Sequence, residues 1–390
     1  MTLFSFAKKK LKWDEPLGLT TITATLTGSF VRIAPPPSYR RFCYFLSCYQ
    51  IIMSALFMSI AATKAVTATD FFAESIEALR FLVTGAHILA KHLTMMVREK
   101  EFLELIDQIR TAWVTYQPSN SDLLSKTLSS SNKYTVIIFS ALQFTLITSV
   151  LGAYAKNTND LDDIQFPLQV WVPASLRTSF VAGTIFQIIP YWAPLVIYCT
   201  TISFLNSITR HVEALGLALA RDIRRQKKWK TNRNNTLYKK HQEIVRIVHR
   251  VNALMASNWG FEMMCSTLQL TLVTYNFLRC LKRNDVEFVN QAFLVLVNFG
   301  VIYLIYGNGN RIIQMSEDLH ESLCASDWHE ASVKERKNLL IMMFKTINPL
   351  EYKYKIIHFD LPGFAKVVNT VFSYITILRS VDEMEDKEGS

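Results

Sequence analysis

Glycine and proline are scarce in this chain, 12 and 11 among 390 residues. Charged side chains make up 19%, below the quarter usual in soluble domains. The six cysteines (43, 48, 199, 265, 280 and 324) show no CxxC pair, which argues against a disulfide framework or a thiolate metal cage. Neither His320-Glu321 nor His329-Glu330 has the second His of HExxH. No GxxxxGK[ST] phosphate loop or GxSxG nucleophile elbow occurs. No catalytic, cofactor or metal residue is therefore assigned, and the chain reads as a non-enzyme. The basic start, MTLFSFAKKKLKWDEP, is not followed by the apolar core of a cleaved leader. No repeated halves of a transporter are visible.

Long uncharged runs are abundant instead. Half the residues are apolar and 12% aromatic. The net charge of +10 suits anionic lipid or nucleic acid, and the apolar runs decide for lipid, with no nucleic acid. Phe42–Thr63 has 22 residues without charge, about 33 Å of helix and enough to cross a bilayer. Further spans read as Ser75–Val97, Tyr134–Tyr154, Thr178–Thr209, Asn258–Leu278 and Phe288–Asn310. The second carries Arg80, His87, Lys91 and His92, which must face protein or water. The fourth runs 32 residues uncharged, so it tilts or projects, and Pro190 and Pro194 kink it. Leu17–Ala34 reads as a surface-lying or shallow helix stopped by Pro35–Pro37.

The closing stretch, Leu361–Val381, has only 12 uncharged residues between Lys366 and Arg379. Thr370, Ser373, Ile377 and Ser380 step by three, four and three and share one helical face. Such a face suits a water-filled path; it equally suits an ordinary bundle helix whose hydroxyls bond to carbonyls or neighbours.

These spans divide the chain. Residues 1–41 form a basic cytoplasmic segment, and 42–310 hold spans one to six, with a basic cytoplasmic loop at 210–250. Residues 311–360 form a cytoplasmic amphipathic helix and a connection, 361–381 the last span, and 382–390 an acidic, disordered outer tail. The fold class is all-α, a seven-transmembrane helical protein. Stretch 210–250 has 12 Lys/Arg against three acids, whereas 153–178 has Lys156 and Arg177 against three Asp. The positive-inside rule puts the N-terminus in the cytoplasm and the C-terminus outside, inverted relative to G-protein-coupled receptors.

The order SEDLHESLCASDW, RKNLLIMMF, INPL and FSYITILRS resembles the C-terminal signature of insect odorant receptors, most specifically over 307–381. FPLQVWVP and the IFQ at 185–187 resemble that family's loop motif and aromatic-Gln pair. Val172, Ala174 and EYKYKIIHFD depart from its pattern. The resemblance implies a ligand-tuning subunit of an odorant-gated, non-selective cation channel. It implies a heterotetramer with the shared co-receptor, in the cell membrane of an olfactory sensory neuron dendrite, with the 311–348 helix in a cytoplasmic anchor. The last helix then lines the pore, with Ile377 as hydrophobic gate among Thr370, Ser373 and Ser380. A volatile, apolar ligand would sit in the outer half of spans two, three, four and six. The residues at that depth are Phe72, Ile76 and Arg80; Ile147, Leu151 and Tyr154; Phe180, Thr184, Gln187 and Tyr191; and Phe288, Ala292 and Phe293. Core packing explains the same spacing. Arg80 either bonds a ligand oxygen or pairs with Asp70 or Glu77. The competing readings are a gustatory-type channel of the same superfamily, a G-protein-coupled receptor and a transporter.

Overall fold

The computed structural model describes residues 15–29, 37–68, 75–159, 164–168, 170–226, 231–283 and 287–388. Among these, nine α-helices occur in the order α1 (Gly18–Leu26), α2 (Pro37–Thr67), α3 (Ile76–Val97), α4 (Glu99–Asn159), α5 (Phe180–Arg224), α6 (Thr231–Lys282), α7 (Phe288–Cys324), α8 (Val333–Thr346) and α9 (Leu361–Glu388). The seven long ones contain the seven expected spans. Five pass by length and hydropathy alone; α3 and α6 do not. Charges that these two bring into the bundle are paired there. Lys91 of α3 meets Glu262 of α6, His87 Nε2 lies 3.9 Å from the same carboxylate, and Ser266 donates to its Oε1 at 3.0 Å. Polar groups at membrane depth are tolerated only where other protein groups satisfy them.

The long α5 is the hub, packing on α1, α2, α3, α4, α6 and α7. Ser179 caps its start by accepting from the Ala182 amide at 3.4 Å. Stretch 210–250, expected as a basic loop, is helical on both sides of 227–230. Its inward residues Val212, Leu215 and Leu219 on α5 and Ile244, Val248 and Val251 on α6 are buried. Apolar residues at this spacing bury a helix face; Arg224, Arg225, Lys239 and Arg246 are exposed, whereas Arg210 is buried. In α4 the helical run breaks at Asn120 (φ −139°) after Pro118; proline withholds an amide from the ladder. The Asn120 amide then reaches Asp222 on α5 at 3.1 Å, and Asp222 also takes Lys240 of α6 at 3.1 Å.

α1 is buried rather than surface-lying. Thr20, Thr21, Ala24 and Thr25 are covered, chiefly by α5. Its hydroxyls bond to its own carbonyls, Thr21 to Leu17 at 2.6 Å and Thr25 to Thr21 at 2.8 Å, so burial leaves them satisfied. Residues 30–34 of the expected helix, with Pro35 and Pro36 after it, lie outside the described residues.

A capping box, Ser332 with Glu335, starts α8. The EYKYKIIHFD connection folds into a two-residue hairpin, β1 (Lys353–Tyr354) against β2 (Ile357–His358). Gly309, inside YGNGNR, lies against the Phe359 carbonyl so closely that a Cβ would overlap it. That glycine lets the hairpin lean on α7. α9 continues to Glu388, so the tail expected to be disordered is helical to that point, where Glu, Met and Lys favour helix.

Candidate functional site

Five helices and α2 converge on an enclosed cavity of about 40 Å³. Phe57 of α2, Phe81 of α3 and Tyr191 of α5 form a ring cluster on its wall, with centroids 5.1 to 5.8 Å apart. Such tilted and edge contacts suit aromatic quadrupoles. Arg80, Thr84, Gly85 and Ile88 come from α3, Leu142 and Thr145 from α4, and Pro194, Leu195 and Tyr198 from α5. Gln269 of α6 and Leu294, Val297, Asn298 and Val301 of α7 complete it. Gly85 leaves room for Met58, whose Cγ would stand 2.6 Å from an added Cβ. The free space holds about three waters, far below the several hundred Å³ of a usual ligand site. Anything larger enters only if the walls give.

Of the thirteen expected ligand residues, Arg80 and Tyr191 line this cavity. Arg80 is 5% exposed. Its Nη2 donates to Glu77 at 2.9 Å, one of its two expected packing partners, and its guanidinium sits 4.1 Å from the Phe81 ring centroid. Phe72 and Asp70 lie outside the described residues. Ile76 packs with Leu272 and Tyr275 in a separate cluster. Thr184 and Gln187 are buried, but Gln187 holds the FPLQVWVP segment. Its Oε1 accepts from the Leu168 amide at 3.1 Å, and its Nε2 donates to the Leu168 and Val170 carbonyls at 2.8 and 3.2 Å. Phe180 meets Tyr154 and Phe166 at the outer rim. Ile147, Leu151 and Tyr154 face outward, Leu151 being 60% exposed. Phe288 is exposed too. Ala292 is half-buried, and Phe293 packs on Phe144 at 5.1 Å. The cavity lies about two turns deeper on α4, α5 and α7 than the residues chosen. The available signal was the uncharged polar residues inside the spans, Gln269 and Asn298, together with Pro194 and Gly85.

The last helix sorts its faces cleanly. Val367, Val371 and Ile375, four apart, are buried where α9 meets α6 and α7. Ser373 and Ser380 are exposed, Ile377 is 57% exposed, and Thr370 is intermediate. The Thr370 hydroxyl donates to the Lys366 carbonyl at 2.8 Å and the Ser380 hydroxyl to that of Thr376 at 3.0 Å. These hydroxyls thus serve their own helix rather than a neighbour. An open groove of about 770 Å³ runs between α6 and α9, with Thr271, Lys366, Thr370 and Ile377 on its walls.

Cavity and last helix are linked through buried polar contacts. Tyr198 lines the cavity and stacks edge-on with His87 at 5.3 Å, while the Lys91 ammonium lies 5.0 Å from the Tyr198 ring centroid. Lys91 pairs with Glu262, and a small void joins Glu262 to Tyr306, Phe359 and Val367 of α9.

Comparison with known proteins agrees with this architecture. Odorant receptor 49a of Drosophila melanogaster is 24% identical over 153 residues, 38% of this chain and 37% of that protein. Odorant receptor Or2 of Anopheles gambiae is 21% identical over 144 residues, 37% of this chain and 38% of that protein. The matches thus span under two-fifths of either relative. The insect olfactory receptor OR5 from Machilis hrabei, solved in complex with eugenol, superposes with TM-score 0.74 at 13% identity, covering 96% of this chain and 99% of OR5. A second structure of OR5 gives a TM-score of 0.70 at 11% identity, covering 94% of this chain and 97% of OR5. At that identity the likeness concerns the seven-transmembrane fold. The family model for the 7tm odorant receptors matches residues 72–372, and the chain belongs to that family of membrane receptors, which are not enzymes.

Proposed function

We propose that this chain is the odorant-binding subunit of a heteromeric, ligand-gated, non-selective cation channel. In this reading it assembles with the shared co-receptor as a heterotetramer in the dendritic membrane of an olfactory sensory neuron. Its N-terminus is cytoplasmic and its C-terminus outside, in line with the basic 210–250 stretch. The observation that carries the reading is the division of labour in α9. An apolar edge holds it to the bundle, and a hydroxyl-bearing face with Ile377 is left uncovered. A face of that kind makes a pore wall when several subunits bring it together, and an apolar ring at Ile377 closes the path by dewetting. The enclosed cavity between α2 and α7 is the odorant site of this reading. OR5 in complex with eugenol is the precedent for a small ligand in this fold. Phe72, Phe180, Thr184, Gln187, Ala292 and Phe293 remain proposed as an outer vestibule, with Arg80 and Tyr191 at its floor; Ile76 is left out because it packs in a separate cluster, and Ile147, Leu151, Tyr154 and Phe288 because they face outward.

Gating is then a population shift. The odorant must bind the open arrangement more tightly, and only that difference moves the equilibrium. The test is whole-cell current from cells expressing this chain with and without an insect odorant co-receptor, during exposure to volatile esters, alcohols, aldehydes and terpenes. Inward cation current that needs both subunits is the expected result. Current that requires a G protein overturns the channel mechanism.

A further inference from the structure

Arg80 lines the cavity together with Thr84, Thr145, Tyr191, Tyr198, Gln269 and Asn298, and it holds a hydrogen-bond donor that stands unused. Arg80 is 5% exposed and its Nε has no acceptor among the described residues. The other end of the guanidinium is committed, with Nη2 donating to Glu77 Oε1 at 2.9 Å. Its plane is held by the Phe81 ring, 4.1 Å from the guanidinium carbon. Several other polar side chains of the wall have already spent their protons on their own helices. Thr84 donates to the Arg80 carbonyl at 2.7 Å, Thr145 to Leu142 at 2.7 Å, and Asn298 to Leu294 at 2.8 Å. A buried N–H left unpaired costs free energy that a bound acceptor recovers.

We infer that the cavity selects neutral, small apolar molecules carrying one carbonyl acceptor (ketones, aldehydes or esters), and that Arg80 Nε is the group that selects them. The inference deepens the receptor reading above and rests on it for the cavity's role. Charge narrows the class. Glu77 already balances the guanidinium, so a carboxylate ligand would bring uncompensated negative charge into the bundle. An amine would bring positive charge beside Arg80. A hydrocarbon of the same shape fills the space but leaves Nε unpaired. A site built to hydrogen-bond its ligand rejects the analogue lacking the partner atom far better than it rejects a change in size.

The experiment measures binding separately from current. The full chain, purified with the co-receptor in lipid nanodiscs, is titrated by intrinsic tryptophan fluorescence with pairs in which C=O is replaced by C=CH2. The pairs are 2-heptanone against 2-methyl-1-heptene, and acetophenone against α-methylstyrene; benzoate is the charged control. A bond to a charged donor predicts that the oxygenated member binds about ten- to a hundred-fold more tightly. In Arg80→Met the preference should fall to within about two-fold while hydrocarbon binding persists, which shows that the site still stands. Glu77→Gln is the second variant, useful if Arg80→Met does not fold. It frees Nη2 and its charge, and benzoate should gain about ten-fold. Equal binding of both members of each pair, no binding of any probe, or a preference that survives Arg80→Met overturns the assignment. Selective binding without current in the same complex would instead count against the channel reading and leave this one standing.

Discussion

Lys91→Met should destabilise the protein, and Lys91→Met with Glu262→Met should not. Glu262 is buried, 3% of its side chain exposed, and Lys91 is its cationic partner across the α3–α6 seam. Ser266 supplies one hydrogen bond to the carboxylate, and His87, at 3.9 Å, is the nearest substitute. Removing one partner of a buried pair typically costs about 3–5 kcal/mol, because the remaining charge is left uncompensated. Replacing both by apolar side chains of similar volume is often neutral or stabilising. With the usual unfolding entropy of about 2.1 cal/mol/K per residue, a 390-residue chain loses about 1 °C of Tm per kcal/mol, so Lys91→Met should melt about 4–6 °C low. The assay is thermal unfolding of the purified receptor followed by tryptophan fluorescence, with Glu262→Met completing the double-mutant cycle. A Lys91→Met protein melting within about 1 °C of the native one would refute the reasoning. So would a double variant as unstable as the sum of the two single ones.

Four further outcomes follow from the same coordinates. Ile377→Ser should raise the current that flows without odorant, because an apolar constriction becomes wettable; an unchanged leak at equal surface expression counts against Ile377 as gate. In the proposed pore reading Arg379 follows Ile377 toward the exit, and Arg379→Gln should lessen the dependence on co-receptor, since repeated guanidinium groups there would oppose cations. Current from this chain alone, before and after substitution, measures it. Gly309→Ala should displace the hairpin at Phe359, with reduced surface expression as the readout, whereas Gly307→Ala, where an added Cβ meets open space, should not. For the Glu351 carboxyl, burial pushes its pKa upward. Hydrogen bonds from Lys353 and His358, at 2.7 Å each, outweigh that and hold it below the ordinary carboxylate range. Its stabilisation of the hairpin is therefore full above the unfolded-state pKa and lost as pH falls through the lowered folded value. Amide exchange across 351–359 should quicken on that acidification in the native protein, and Glu351→Gln should remove the change.

Helix content and span number were legible because they rest on length and polarity, which a bilayer reads one residue at a time. The second span shows where that reading needs partners. Arg80, His87, Lys91 and His92 make α3 look costly in lipid, and only the fold shows what answers them. Glu262 lies 171 residues beyond Lys91, and His92 meets Ser29 at 3.2 Å and Ser47 at 3.4 Å. The expected loop at 210–250 and the disordered tail share a different cause. Both are rich in charge, which marks contact with water but does not oppose helix.

The site was less legible for a geometrical reason. Spacing of three and four defines a stripe on a helix, but it does not say which way the helix is turned. On α4 the stripe of Ile147, Leu151 and Tyr154 is apolar because it faces outward, where lipid would lie, and apolar walls are also what a ligand pocket needs. In a membrane the two environments prefer the same side chains, so hydrophobicity cannot separate them. Polarity can. An amide or guanidinium is excluded from the lipid face and must turn inward, and Arg80, Gln269 and Asn298 all do. For a chain of this kind, the polar residues within its spans locate the interior, and the apolar residues flanking them on the same face then name the walls.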